Sequence, residues 1–232
     1  MKNNVYLLLA VIGFLVACNN NTDKQAKPVI SESTDAVSGE NATSLNDREV
    51  EFINGTDFSK YAREHSPEIK WSNFNLARFW KEELRVKTDF KPDSNFMDTY
   101  GKLLKYSPDS SKFIDLDSYN ISIHKDKQGR LIGNEAGPDT EVSLVDLVSL
   151  KKMRLVFVGP GSSVEDAGWL DNNNFILIGF QENEAASGTE AVIWHFDLEQ
   201  QLVKQYELND QSQIKSLEDY SRKVRLKNVN FK

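Results

Sequence analysis

Short apolar runs separated by clusters of turn formers dominate the second half of this chain. Asp171, Asn172, Asn173 and Asn174 form a run of turn residues, and the wholly apolar Phe175-Ile176-Leu177-Ile178 follows as a strand. A polar, glycine-containing connection over 181–190 leads to a second strand over 191–196. Residues 197–201 then turn the chain into a third, 202–206. The same order occurs upstream, where Ser107-Pro108-Asp109-Ser110-Ser111 precedes an apolar run at 113–116, and strands at 142–147 and 153–158 follow. Asp109 and Phe113 recur as Asp171 and Phe175 at one common offset. Val145-Asp146-Leu147 recurs as Phe196-Asp197-Leu198 at a shorter one. The first copy therefore carries an insertion over 119–132, with Gly129 suited to the positive-φ position of a hairpin loop. The pattern predicts a mainly β protein with a few helices (α+β), built from antiparallel β-meanders in two rough copies.

Outside the repeats the spacing is mixed. Residues 57–64 predict a short helix, capped by Thr56 or Asp57 and stopped at Ser66-Pro67. Leu76, Phe79, Trp80 and Leu84 fall at helical spacing and predict an amphipathic helix over 75–85, aromatic on its inner face. Residues 91–94 read as a loop and 100–106 as a strand. Near the C-terminus a polar helix is expected over 211–221 and an alternating strand over 224–231.

The segment from Tyr106 to Phe113 and that from Gly168 to Phe175 resemble the blade openings of β-propeller proteins. In that family a turn of the Ser-Pro-Asp type begins a strand, and a strand ending in Asp-Leu follows, as Val192-Ile193-Trp194-His195-Phe196-Asp197-Leu198 does here. Propellers close with four or more blades, and only two are present. The resemblance therefore implies not a closed propeller but a twisted antiparallel sheet or two packed meanders, with the aromatic helix over one face. The edges of such open sheets need a helix, charges or a partner.

At the N-terminus, Met1-Lys2 is followed by an apolar run over 5–16. That run is roughly a dozen residues, too short for the roughly 20 that span a bilayer, and it matches the length of a signal-peptide core. It ends in Leu15-Val16-Ala17-Cys18, which resembles the lipobox of bacterial lipoproteins. The resemblance implies cleavage after a signal peptide of residues 1–17 and lipidation of Cys18. Two or more acyl chains hold a protein at a membrane where one is marginal. Asn19, standing where some inner-membrane lipoproteins carry Asp, favours the outer membrane by the same resemblance. Residues 18–47 hold too little apolar surface to order themselves and read as a disordered tether, with a reach of roughly 30 Å as a flexible coil. The expected organisation is signal peptide 1–17, tether 18–47 and one globular domain 48–232. That domain comprises a helical and aromatic segment (48–100), the meander repeats (101–210) and a C-terminal helix and strand (211–232).

Charge and chemistry narrow the function without naming it. Twenty-eight basic against 35 acidic side chains leave no basic footprint for nucleic acid. The single cysteine excludes an internal disulfide or a cysteine-rich metal site. The three histidines show no metal-ligand spacing, and no cofactor is implied. Asp115 and Asp117, two apart, share a face on an extended strand and suit acid–base work or a cation. The simpler reading is a strand-end turn bonded to its own backbone. His195 reads as a surface or half-buried residue opposite Trp194. The basic cluster Arg222, Lys223, Arg225 and Lys227 reads as a solvated face. The chain is thus expected to be an envelope lipoprotein held to the membrane through Cys18, a non-catalytic module that binds an envelope protein partner or supports an assembly. The alternative is a small-molecule or glycan-binding lipoprotein with Trp71, Trp80, Trp169 and Trp194 as a stacking surface. A hydrolase using Asp115 and Asp117 is the third reading.

Overall fold

Two capped helices open the folded chain in the computed structural model, which describes residues 43–82, 87–182, 188–208, 217 and 219–232. The signal run, Cys18, nearly all of the tether, Leu84 and most of the expected polar helix over 211–221 lie outside the described residues. Helix α1 (Asp47–Gly55) starts at a capping box. The Asn46 side chain accepts the Glu49 N–H, and the Glu49 carboxylate accepts the Asn46 N–H. Helix α2 (Asp57–His65) is capped by Thr56, as the spacing predicted. Helix α1 itself was not anticipated. Folded structure also begins inside the expected tether, because Leu45 is buried and Ser44 bridges Asn75.

The strands follow as β1 (Phe74–Lys81), β2 (Lys87–Asp89), β3 (Lys105–Tyr106), β4 (Lys112–Asp115), β5 (Ile121–Lys125), β6 (Leu131–Glu135) and β7 (Thr140–Asp146). The remainder are β8 (Lys151–Val158), β9 (Ser163–Trp169), β10 (Asn174–Glu182), β11 (Thr189–Asp197), β12 (Leu202–Leu208) and β13 (Val229–Phe231). Helix α3 (Ser94–Tyr100) sits between β2 and β3. One five-stranded sheet has the order β2-β8-β7-β4-β3 and a second the order β1-β12-β11-β10-β9. Each is a four-stranded antiparallel meander from one repeat, with a fifth strand from the preceding segment on its outer edge. The insertion of the first repeat, β5 and β6, leaves this plan and forms a third small sheet with β13. Gly129, at φ 77°, lies in the loop between β5 and β6, as expected. No closed barrel or propeller forms from these strands.

The repeats match in their turns as well as in their strands. Asp146 accepts the N–H groups of Val148 and Ser149, and Asp197 those of Glu199 and Gln200. Both turns end in a residue at positive φ, Leu150 at 55° and Gln201 at 53°. The opening turns meet each other, with the Asp109 N–H donating to Asn172 Oδ1. Strand alternation then builds layers. Ile114 and Leu144 face Phe175, Leu177, Val192 and Trp194 in a core between the two large sheets. Ile176, Ile178, Ile193 and Tyr206, on the opposite side of the second sheet, pack against Ile53 and Phe58 of α1 and α2. Phe113 and Val145 of the first sheet pack against Phe96 and Met97 of α3. Each buried side chain of this kind stabilises by about 1.5–3 kcal/mol.

Three expectations are corrected. The helix expected over 75–85 is strand β1, paired with β12. A bulge between Leu76 and Arg78 reverses the inward face. Phe74 and Leu76 thus reach the helix-side core while Trp80 reaches the inter-sheet core, and this reversal mimics helical spacing. The strand expected over 100–106 is the end of α3, a turn and the two residues of β3. The C-terminal strand is confined to β13, because residues Ser221–Arg225 form a π-helical turn.

Candidate functional site

Buried charge in this fold concentrates where the inserted hairpin, β9 and the C-terminal π-turn meet. Asp115 ends β4 and Asp117 lies in the turn that follows, both buried. Asp115 accepts the N–H groups of Asp117 and Ser118 at 3.1 and 3.0 Å and the Ser118 hydroxyl, so its carboxylate is consumed by its own turn. Asp117 is bound instead by Arg225, whose Nε also donates to the Glu165 carbonyl at 2.9 Å. Arg225 therefore does not belong to a solvated face; its side chain is 7% exposed. Arg222, also assigned to that face, pairs with Glu135 and lies over the Phe231 ring.

Strand β9 supplies two further buried acids. Its register with β10 shifts between Ile178 and Gly179, leaving Glu165 as the extra residue of a bulge, and bulges re-aim side chains. Glu165 accepts the Ser221 N–H at 2.8 Å. Asp166 pairs with Lys105 at 2.7 Å and accepts the Tyr220 hydroxyl at 3.1 Å. Burial pushes the Asp117 carboxyl up against the pull of Arg225, and burial likewise raises the Glu165 carboxyl against the Ser221 N–H. Burial draws the Arg225 guanidinium down, but the facing Asp117, Asp166 and Glu165 outweigh it and hold it above its ordinary range.

These groups border a cleft of about 270 Å³ lined by Asp117, Asn120, Glu135, Glu165, Arg222 and Arg225, with Leu116, Ile121, Pro138, Val164 and Leu226 between them. Asn120 is fixed by its backbone, its N–H to Asp117 and its carbonyl from Ala136. Its side-chain Oδ1 is buried and has no hydrogen-bond partner among the described residues. The perturbed carboxyls on its lining make this cleft the candidate functional site. Among the described residues no group of His, Cys, Asp and Glu could hold a metal ion, and no helix is long and apolar enough to cross a membrane.

The tryptophans do not form a stacking surface. Trp71, Trp169 and Trp194 are buried and Trp80 is half-buried. Each indole N–H is used internally: by Ser59, the Lys105 carbonyl and Gln205 for the three buried ones, and by Glu82 for Trp80. They are structural, and Trp169 ties the two sheets together. His195 is half-buried as expected, and its Nδ1 stands 2.5 Å from Glu49 of α1. Sequence reasoning reached Asp115 and Asp117 but missed Asn120, Glu135, Glu165 and Arg225. A usable signal existed for β9: the acids Glu165 and Asp166 are flanked by Val164, Ala167 and Trp169 over a strand's length.

Glu165 offers a test by pH. Its folded pKa is raised, so its contribution to stability is fully present below the unfolded value and is lost as pH rises through the folded one. Glu165→Gln retains an acceptor for Ser221 and cannot ionise. Its stability relative to wild type, from urea unfolding at a series of pH values, is expected to increase as pH rises from 4.5 to neutrality. A difference that is flat with pH would remove the buried acid from the picture. The chain matches no protein-family model, no curated protein and no solved structure.

Proposed function

We propose that this protein is a lipid-anchored module of the cell envelope, held at the outer membrane through Cys18, that binds through the cleft rather than catalysing a reaction. The anchor rests on the short apolar run ending in Leu15-Val16-Ala17-Cys18. One observation carries the binding reading: a cleft of about 270 Å³ gathers Asp117, Glu165 and Arg225, charged groups held out of solvent, and burial raises both carboxyls. Asp115 is spent on its own turn and Asp117 on Arg225, so neither is free to move a proton for a substrate. These commitments weigh against the hydrolase reading built on those two aspartates.

The anchor is tested by fractionation. Wild-type protein is expected in the membrane fraction with an acylated N-terminal cysteine by mass spectrometry, and Cys18→Ala almost wholly in the soluble fraction. Retention of the variant on membranes would count against lipid attachment. Every acyl chain would be carried on Cys18, and among the described residues no helix is long and apolar enough to cross a membrane, so the expected effect is nearly complete.

A further inference from the structure

Positive charge collects at one end of the small third sheet, in a chain that is acidic as a whole. The formal net charge is -7, yet residues 121–135 and 226–232, which build that sheet, carry five cations against two carboxylates. Register gathers four of the cations. Lys125 stands opposite Leu131, so the loop between them, with Lys127 and Arg130, is the tip of the β5–β6 hairpin. Val229 lies beside Leu131 in parallel, and its N–H donates to the Leu226 carbonyl at 2.8 Å. Lys227 and Asn228 are therefore the central residues of a tight turn at the same end. Residues 124–130 are exposed apart from the half-buried Asp126, and Lys227 and Asn228 are exposed too.

Nearby carboxylates do not cancel this charge. Asp126 accepts the Gln128 and Arg130 N–H groups at 2.9 Å and pairs with the Arg130 guanidinium at 2.7 Å, so it offsets one cation and is turned into its own loop. Glu135 lies at the far end of β6, on Arg222. Asp57 of α2, which Lys227 reaches electrostatically, is bonded to Lys60 at 2.7 Å. Among the described residues Lys125, Lys127 and Lys227 form no ion pair. The make-up of the tip selects the partner. Protein interfaces are enriched in aromatic residues and depleted of Lys, and none of the large exposed apolar side chains, Phe79, Tyr119, Val148, Leu150 and Phe157, belongs to the tip. A layer of anionic headgroups needs no apolar anchor. Its potential attracts Lys and Arg and fades within a Debye length, about 8 Å at physiological salt, so it acts on an exposed tip more than on the acidic remainder.

We infer that this tip docks the domain on an anionic lipid surface, with Lys125, Lys127, Arg130 and Lys227 against the headgroup phosphates. The inference goes beyond the cleft and rests on the anchor reading only for bringing the tip near a bilayer. The test places a fluorophore on Gln128→Cys in the full-length lipidated protein, where the native cysteine is acylated, and quenches it with a headgroup-nitroxide lipid. Vesicles are phosphatidylcholine, with or without about one third phosphatidylglycerol. Strong quenching is expected only with phosphatidylglycerol and is expected to fade in about 0.5 M salt. A label on Val148→Cys, in the β7–β8 turn, is expected to stay unquenched on both. Lys125→Glu with Lys127→Glu, and separately Lys227→Glu, are expected to restore fluorescence with melting temperatures unchanged, the double variant weakening docking at least about tenfold. Equal quenching at Gln128 on both vesicles, equal quenching at Val148, or full quenching in all charge-reversed variants would overturn the inference. Loss of quenching to equimolar polyglutamate would overturn it in favour of an acidic protein partner. The Cys18→Ala chain with the Gln128 label, added from outside at high lipid concentration, repeats the comparison without the anchor. Phosphatidylglycerol-dependent quenching is expected there as well, and its absence from both chains overturns the inference whatever becomes of the anchor.

Discussion

Arg225→Ala is expected to cost about 3–5 kcal/mol of stability, the usual penalty for stranding one partner of a buried ion pair. Asp117 is 2% exposed and would lose its guanidinium partner, while the Glu165 carbonyl would lose the Arg225 Nε–H. Burial already raises the Asp117 carboxyl, so the unpaired acid should take up a proton readily, and the deficit should shrink as pH falls. The double variant Asp117→Asn with Arg225→Met should recover much of the loss, because replacing a buried pair by neutral groups is often close to neutral. Urea midpoints of the full chain at neutral and acid pH measure all three. A loss below about 1 kcal/mol, the range of surface pairs, would mean that Arg225 is solvated after all.

Phe175→Ala should be as severe, at about 3–5 kcal/mol for a fully buried aromatic. Phe175 is 0% exposed and lies parallel to Phe196, at 4.9 Å and 9°, with Trp169 at 5.0 Å on another side. The cost depends on whether neighbours collapse into the hole. Trp169 is pinned by its bond to the Lys105 carbonyl of the other sheet, so it cannot follow. The repeat-equivalent Phe113 is also fully buried, but it faces the α3 side beside the partly exposed Phe96 and Tyr106. Phe113→Ala should therefore cost less, because that smaller cluster can close up. Equal losses from the two variants would show that the core between the sheets is no more rigid than the one under α3.

The repeat was legible because its turns are local. Asp109, Asp171, Asp146 and Asp197 each bond backbone N–H groups within three residues, so composition alone reveals them. The β1 error has a physical origin, since one extra residue at the Leu76/Arg78 bulge turns an alternating strand into an apparent helix. The site was mostly hidden. Asp117 meets Arg225 across 108 positions and Glu165 meets Ser221 across 56, and neither partner shows a local signal. Arg225 looked solvated because it stands among Arg222, Lys223 and Lys227. Only the fold shows that the π-turn points it inward. Asn120 was invisible for a related reason, as a turn asparagine ordinarily bonds its own backbone.

Site-directed photocrosslinking in intact envelopes tests most directly whether the cleft is where this protein binds. A photoreactive residue at Pro138, on the exposed part of the cleft lining, is compared with one at Val148, 81% exposed in the distant β7–β8 turn. A discrete adduct from Pro138 and none from Val148 is the expected result. The same adduct from both positions, or background at both, would contradict a binding role for the cleft.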